Sequence, residues 1–366
     1  MLTWQSLFFL TLLGALLPFA AAPEAFELRT NRAKALVPLD EIRSGGPPPD
    51  GIPAIDEPTF VTPAQADGWL DPKEPVLAVE VGGEARAYPL QILMWHEIVN
   101  DSFGGRSITA TYCPLCNSGI VFDRRVGDRL LDFGTSGMLY KSDLVMYDRQ
   151  THSLWSQMEG RAIVGDLAGT TLSWLPANTI SYEEWKRLFP DGKILSRDTG
   201  FRRMYGMNPY QGYDTPMLAP FLFFDKPDER LAPKERVVGI RIGSEAKAYP
   251  FSLLAKQPVL RDTIAGQPVV IFYRPGTLSA LDDARISQSR EIGATAVFRP
   301  VVDGRALTFE ATAGGFRDKE TGSLWSLMGR CYEGSLAGKT LQRVIHVDAF
   351  WFAWAAFHSG SEIYIQ

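Results

Sequence analysis

The sequence predicts a β-rich α+β protein: two tandem, degenerate repeats of one strand-rich unit with short helices, packed as a pseudo-symmetric pair. Three observations carry that prediction. The segment 76–90 (VLAVEVGGEARAYPL) matches 237–251 (VVGIRIGSEAKAYPF) at a constant shift of 161, which holds through Tyr112 and Tyr273. Further along, THSLWSQM (Thr151 to Met158) matches TGSLWSLM (Thr321 to Met328), LAGTTL matches LAGKTL, and Trp185 falls on Trp354. Identical residues in the same order at near-constant shifts mark a duplication. Within the first copy, the alternating runs VLAVEV, SITATY, GIVFD and RLLDF are separated by the glycine turns VGGE, FGGR and RVGD, the pattern of short strands.

At 366 residues the chain is long enough for two compact units, and its 45% apolar and 22% charged residues are those of a soluble globular protein. A net charge of -5 leaves no electrostatic footprint for nucleic acid, and no Lys/Arg-rich run offers a polybasic membrane contact. No nucleic-acid partner is expected; the sequence names no other.

The elements follow in order. Residues 1–22 carry no charged side chain and hold the run LFFLTLLGALLPF before three alanines. That run is short for a membrane span, and Pro18 followed by small residues is how a signal peptide ends. Export to a periplasmic or extracellular location is expected; an uncleaved N-terminal anchor is the rival, with no other transmembrane domain. Residues 23–75 form a Pro/Gly-rich extended arm laid over a domain surface. The first repeat, 76–196, ends in SYEEWKRLF, where a serine cap and two acids in the first turn predict a helix. Residues 197–236, dense in Tyr, Arg, Pro and Gly, read as an ordered crossover in which Arg202, Arg203, Tyr205 and Tyr210 are candidates to line a pocket. The second repeat, 237–366, has no Cys-x-x-Cys.

Subtracting one copy from the other isolates what only the first holds. His96 falls on Gln257, Cys113 on Arg274, Cys116 on Thr277 and His152 on Gly322. The segment 134–147 is shortened in the second copy, so Ser136, Met138, Tyr140 and Asp143 have no clear partners. Ser136, Tyr140 and Asp143, with Trp155, are further pocket-lining candidates. Asp101 and Asp148 recur as Asp262 and Asp318, which favours structural turns over acid/base work.

Taken together, WHEIVND, TYCPLCNSG, SGMLYKSDLVMYDR and SLWSQ resemble the exported bacterial and archaeal family catalogued as domain of unknown function 3179. The resemblance covers nearly everything after the signal. It implies importance for His96, Cys113, Cys116, Ser136 and Trp155 and carries no reaction with it.

The cysteine pair can clamp a metal ion or close into a disulfide. A thioredoxin-type site places its first cysteine at a helix N-terminus, whereas NSGIVFD after Cys116 reads as turn and strand. A c-type haem needs histidine directly after the second cysteine, and Asn117 stands there. A zinc ribbon needs a second pair, and only Cys331 remains. A mixed site of two thiolates with His96 is left, with Met138, His152 or Met158 as further ligands. Soft ligands suit copper(I); two Cys with two His suit zinc. The expected function is therefore an exported protein whose Cys113/Cys116/His96 site binds copper or zinc. The alternatives are a thiol-disulfide redox pair, and a binding or scaffold protein stapled by a structural disulfide. Ser136 reads as a turn residue before it reads as a nucleophile, since no Gly-x-Ser-x-Gly elbow surrounds it. No phosphate loop or dinucleotide fingerprint is present, so no nucleotide cofactor is expected.

Overall fold

A computed structural model describes residues 26–365. The expected signal segment, 1–22, lies outside the described residues. Strands dominate, with short helices at a few corners, as a β-rich α+β chain should. Among the described residues no helix is long and apolar enough to cross a membrane.

Three antiparallel-dominated sheets and one small hairpin, Arg125–Val126 with Arg129–Leu130, make up the first half. One runs in the spatial order Ala177–Ser181, Pro75–Val81, Glu84–Pro89, Lys193–Leu195, Phe60–Val61. Its central pair reads as a hairpin in the sequence, with Val76 opposite Pro89 and Val81 opposite Glu84 across the Gly82-Gly83 turn. A second sheet is ordered Ser173–Leu175, Ser118–Asp123, Arg106–Cys113, Ile98–Phe103. The third runs Ile42–Ser44, Phe133–Tyr140, Asp143–Asp148, Leu154–Ser156, Arg161–Val164.

Residues 236–363 build sheets of closely similar order. Val347–Phe350, Arg236–Ile242, Glu245–Pro250 and Glu362–Ile363 form one, with Val237 opposite Pro250. Gln342–Arg343, Ala294–Arg299, Gln267–Arg274 and Val259–Ile264 form the next. Phe309–Thr312, Gly315–Asp318, Leu324–Trp325 and Cys331–Glu333 form the last. The edge strand that opens the order of each half's first sheet packs on the other half: Ala177–Ser181 against Ala294–Arg299, and Val347–Phe350 against Ser118–Asp123. The largest apolar core accordingly mixes Val79, Tyr112 and Trp155 with Ala280, Phe350 and Phe352.

The helix expected at SYEEWKRLF spans Tyr182–Leu188, and the Ser181 hydroxyl accepts from Glu184 N at 3.2 Å. It buries Trp185, as Trp351–Phe357 buries Trp354. A helix that periodicity does not announce is Leu90–His96, because all of its residues but Trp95 are buried and no polar face marks its phase.

The tryptophan block is built alike in both halves. Trp155 and Trp325 donate their indole N–H to Asp148 Oδ2 and Asp318 Oδ2, each at 2.9 Å, and the same carboxylates accept from Thr151 N and Thr321 N at 2.6 Å. Asp148 and Trp155 are fully buried, so Asp148→Ala strands an indole donor and a turn amide without water to replace the carboxylate. It is expected to cost about 2 to 3 kcal/mol in urea denaturation, and a loss near zero would show that Asp148 is not what holds the block.

Residues 26–75 lie across the first half, where Leu36 N donates to Ile163 O at 2.8 Å and Asp50 N to Thr135 O at 2.8 Å. The crossover is ordered by charge. Asp214, without solvent exposure, takes Arg236 Nη2 at 2.6 Å and Arg290 Nη2 at 2.8 Å on one oxygen, which also accepts the Ser279 hydroxyl. Beside it, Lys234 donates to Tyr213 O at 2.6 Å and lies 3.3 Å from the centre of the Tyr213 ring.

Candidate functional site

The two cysteines sit on a hairpin loop. Strands Arg106–Cys113 and Ser118–Asp123 pair with Tyr112 opposite Gly119 and Cys113 opposite Ser118, leaving the loop 114–117. Asn117 closes it at φ 53, a left-handed conformation that asparagine adopts more readily than most residues, and accepts the Tyr112 hydroxyl at 3.2 Å. Phe350 N donates to Cys116 O at 2.9 Å, so the second half holds the loop down. No helix begins at either cysteine. In the other half the corresponding strands pair Tyr273 with Thr295 and Arg274 with Ala294, around the loop 275–293. Setting Cys116 against Thr277 therefore compares loops of unequal length; only Cys113 and Arg274 hold the same register.

A second hairpin delivers a carboxylate to the sulfurs. Strands Phe133–Tyr140 and Asp143–Asp148 are joined by Lys141 and Ser142 at φ 52 and 64, two successive positive values that a tight hairpin turn requires and that Asn-Gly would meet with less strain. Ser142 ties that turn to both neighbours: its hydroxyl donates to Phe221 O of the crossover, and its carbonyl accepts Cys116 Sγ at 3.5 Å. Asp143 follows directly. Cys113 Sγ, Cys116 Sγ and an Asp143 oxygen all lie within 4.8 Å of one another, and all three residues are buried.

The electrostatics of this group follow from its burial. Asp143 Oδ2 accepts from Met158 N at 2.9 Å, whereas Oδ1 is buried with no partner beyond the two neighbouring thiols. Burial pushes the Asp143 carboxyl up to about 7. It also raises the Cys113 thiol and holds the Cys116 thiol well above its ordinary value. Each group is thus biased toward its neutral form where no cation balances it. A group of two Cys and one Asp so placed could hold a metal ion.

Next to it lies a cavity of about 290 Å³. Leu115, between the cysteines, and Leu144, after Asp143, form part of its wall, with Met138 and Thr135 from the same hairpin. Tyr210, Tyr213 and Phe221 of the crossover and Gly45, Pro47 and Ile52 of the arm close it. One residue with a carboxyl side chain lines it, Glu97. Glu97 caps the helix Leu90–His96 at φ 58 and ψ -30, a region costly for any residue with a Cβ, and is locked there by its N–H to Leu93 O at 2.6 Å and its C=O from Tyr112 N at 2.8 Å. Burial, with Asp143 adding repulsion, pushes this carboxyl up to about 8.

The expected residues are dispersed. His96, expected beside the sulfurs, is engaged elsewhere: Nδ1 donates to Pro53 O at 2.7 Å, and Nε2 lies 2.6 Å from the Tyr205 hydroxyl. Both ring nitrogens are used, and burial depresses the imidazole to about 4, so Asp143 rather than His96 completes the group. His152 meets the arm, accepting Arg29 N on Nδ1 at 2.9 Å. Met158 contributes its amide to Asp143, and Met138 lines the cavity. Ser136 sits at a bulge, donating to Val145 O and accepting from Met138 N at 3.1 Å, which makes it a structural hydroxyl and no exposed nucleophile. Tyr140 packs on Phe357, and Trp155 is the anchor described above. Arg202 and Arg203 are exposed and outside the cavity wall, while Tyr210 of the same crossover is in it. Cys331 is buried alone, donating to Glu333 O. Glu97 is the residue that attention to its neighbour His96 hides: at the shift of 161 it falls on Pro258, so the same subtraction isolates it.

A family described as "Protein of unknown function (DUF3179)" matches residues 49–361, most of the chain. No curated protein and no solved structure matches it.

Proposed function

We propose that this chain, which belongs to the DUF3179 family, is a metal protein, with one zinc ion held by Cys113 Sγ, Cys116 Sγ and an Asp143 oxygen. The observation that carries the reading is the meeting of three buried ligand atoms, in which one carboxylate oxygen has no partner beyond the two thiols themselves. A thiol is a weak donor, so this buried oxygen is poorly satisfied, at a cost that ligation would remove. The donor set chooses the ion. Two thiolates alone would suit copper(I), but a carboxylate oxygen as third donor shifts preference to borderline zinc. Three protein ligands leave one position of a tetrahedral set for water or substrate, and zinc there would supply Lewis acidity.

The reading extends to the rest of the chain. The matched sheet orders and the twin Asp–Trp anchors support a duplicated unit in which only the first copy took up a metal site. The apolar N-terminal run supports export, and in an oxidising compartment a bound ion keeps the pair from closing into a disulfide.

Protein purified under reducing conditions and loaded with zinc is expected to retain about one equivalent after desalting. Cobalt in its place is expected to show thiolate-to-metal absorption that Cys113→Ser with Cys116→Ser abolishes. Retention below about a tenth of an equivalent would sink the reading. A thiol-disulfide role is the second reading, favoured by the closeness of the two sulfurs. Burial opposes it by raising both thiols, which starves the site of the attacking thiolate. It requires rapid reaction with thiol reagents in native, metal-free protein.

A further inference from the structure

We infer that the cavity beside the cysteines is a binding site for a small, largely hydrocarbon amine, whose ammonium group pairs with Glu97 and whose body lies against Leu115, Leu144, Tyr210 and Phe221. This ligand site is distinct from the proposed metal and does not depend on it.

Four observations converge on that chemistry. The space is about 290 Å³, at the small end of ligand pockets, and most of its wall is apolar. Glu97 is the single side chain of formal charge in the wall, and no described residue supplies its carboxyl with a hydrogen bond or a counter-ion, although it is only 8% exposed. Its backbone conformation is one that glycine would occupy with less strain, so the fold tolerates a conformational penalty to keep a side chain at this place. Three aromatic rings share the wall. A carboxylate among aromatic faces is the recognition chemistry of organic ammonium ions, because each ring presents the negative face of its quadrupole. Tyr213 already has Lys234 over its ring, and Tyr210 and Phe221 are the wall's other two aromatic residues. An anionic ligand would meet Glu97 with no cation in the wall to offset it.

The test is calorimetric titration of the full chain, in excess chelator, with 2-phenylethylamine, 2-phenylethanol and 3-phenylpropionate. The amine is expected to bind at least about tenfold tighter than the alcohol, and the carboxylate weakest. Glu97→Gln is expected to bring the amine to the level of the alcohol and leave the alcohol unchanged. Phe221→Ala, at a half-exposed position where truncation is tolerated, is expected to weaken amine binding severalfold. Equal binding of amine and alcohol, tighter binding of the carboxylate, no saturation by any probe at millimolar concentration, or an amine preference that survives in Glu97→Gln would each overturn the inference. Chelator keeps this outcome separate from that of the metal: loss of zinc retention leaves the amine preference standing, and loss of the amine preference leaves zinc retention standing.

Discussion

Asp214→Ala is expected to destabilise the folded chain by about 3 to 5 kcal/mol, the largest effect of any single substitution outside the apolar core. The Asp214 carboxylate is fully buried and satisfies Arg236, itself 8% exposed, together with Arg290 and the Ser279 hydroxyl. Removing the anion leaves the Arg236 guanidinium charged in the interior, where its Nε already lacks a partner. Burial pushes the Asp214 carboxyl up, but Arg236, Ser279 and Arg290 more than offset it and hold the group below its usual range. The pair therefore favours the folded state above the ordinary carboxylate range, and that support is lost as pH falls through the lowered value. Urea denaturation at neutral pH reads the cost. Asp214→Leu combined with Arg236→Met should restore much of it, since the buried guanidinium is then gone and the half-exposed Arg290 keeps Asp282 as its partner. A single variant losing less than about 1 kcal/mol would mean that solvent reaches Arg236 after the change.

The consequence reaches the candidate site. Asp214 follows Tyr213 directly, and Tyr210, Tyr213 and Phe221 wall the cavity. Ser279 and Arg290 belong to the loop 275–293, longer than the cysteine loop 114–117 of the first half. The second half thus spends its longer loop on clamping the crossover over the first half's cysteines, which gives the two unequal hairpins complementary roles.

Much of this was visible in the residues, for reasons that can be stated. Local alternation and glycine turns fix hairpins, so the pairing of Val76 with Pro89 and the hairpin position of Cys113 follow from nearest neighbours in the chain. The Ser181 cap is equally local. Asp143 could be singled out by subtraction but not given a role, because its approach to the sulfurs depends on two positive φ values at Lys141 and Ser142, residues that do not advertise them. His96 misled for the converse reason. Gln257 stands where the shift of 161 places it, but the His96 ring turns toward Pro53 and Tyr205, contacts made by the arm and the crossover across long stretches of sequence. Glu97 was hidden by the same break after the helix: a one-residue change of backbone direction sends neighbouring side chains to different places.

Asp143→Asn is expected to change stability with opposite signs in the two metal states. In chelated protein the folded state holds the Asp143 carboxyl near 7, above the ordinary 3.8, so between those values the folded chain binds more protons than the unfolded one. Stability then falls as pH rises through that window and levels off above it. Asparagine removes the ionisation, so the variant should gain on the parent progressively from about pH 4 to 7 and keep the gain at pH 8. Glu97, raised in the same direction to about 8, continues the parent's decline past neutrality, while the histidines depressed to about 4 work the other way only below about 6.5. The comparison is therefore cleanest between pH 6.5 and 8. With zinc present the order reverses. An ion that binds only the folded chain stabilises it in proportion to the logarithm of its affinity, and losing one of three protein ligands should weaken binding by about 100-fold or more. Melting curves of parent and variant in chelator and in excess zinc would cross, the variant melting higher in the first and lower in the second. Curves displaced equally in both conditions would identify Asp143 as a structural carboxylate that supports the hairpin and nothing more. A crossing would show that this buried carboxyl weakens the empty fold and that metal binding reverses its effect.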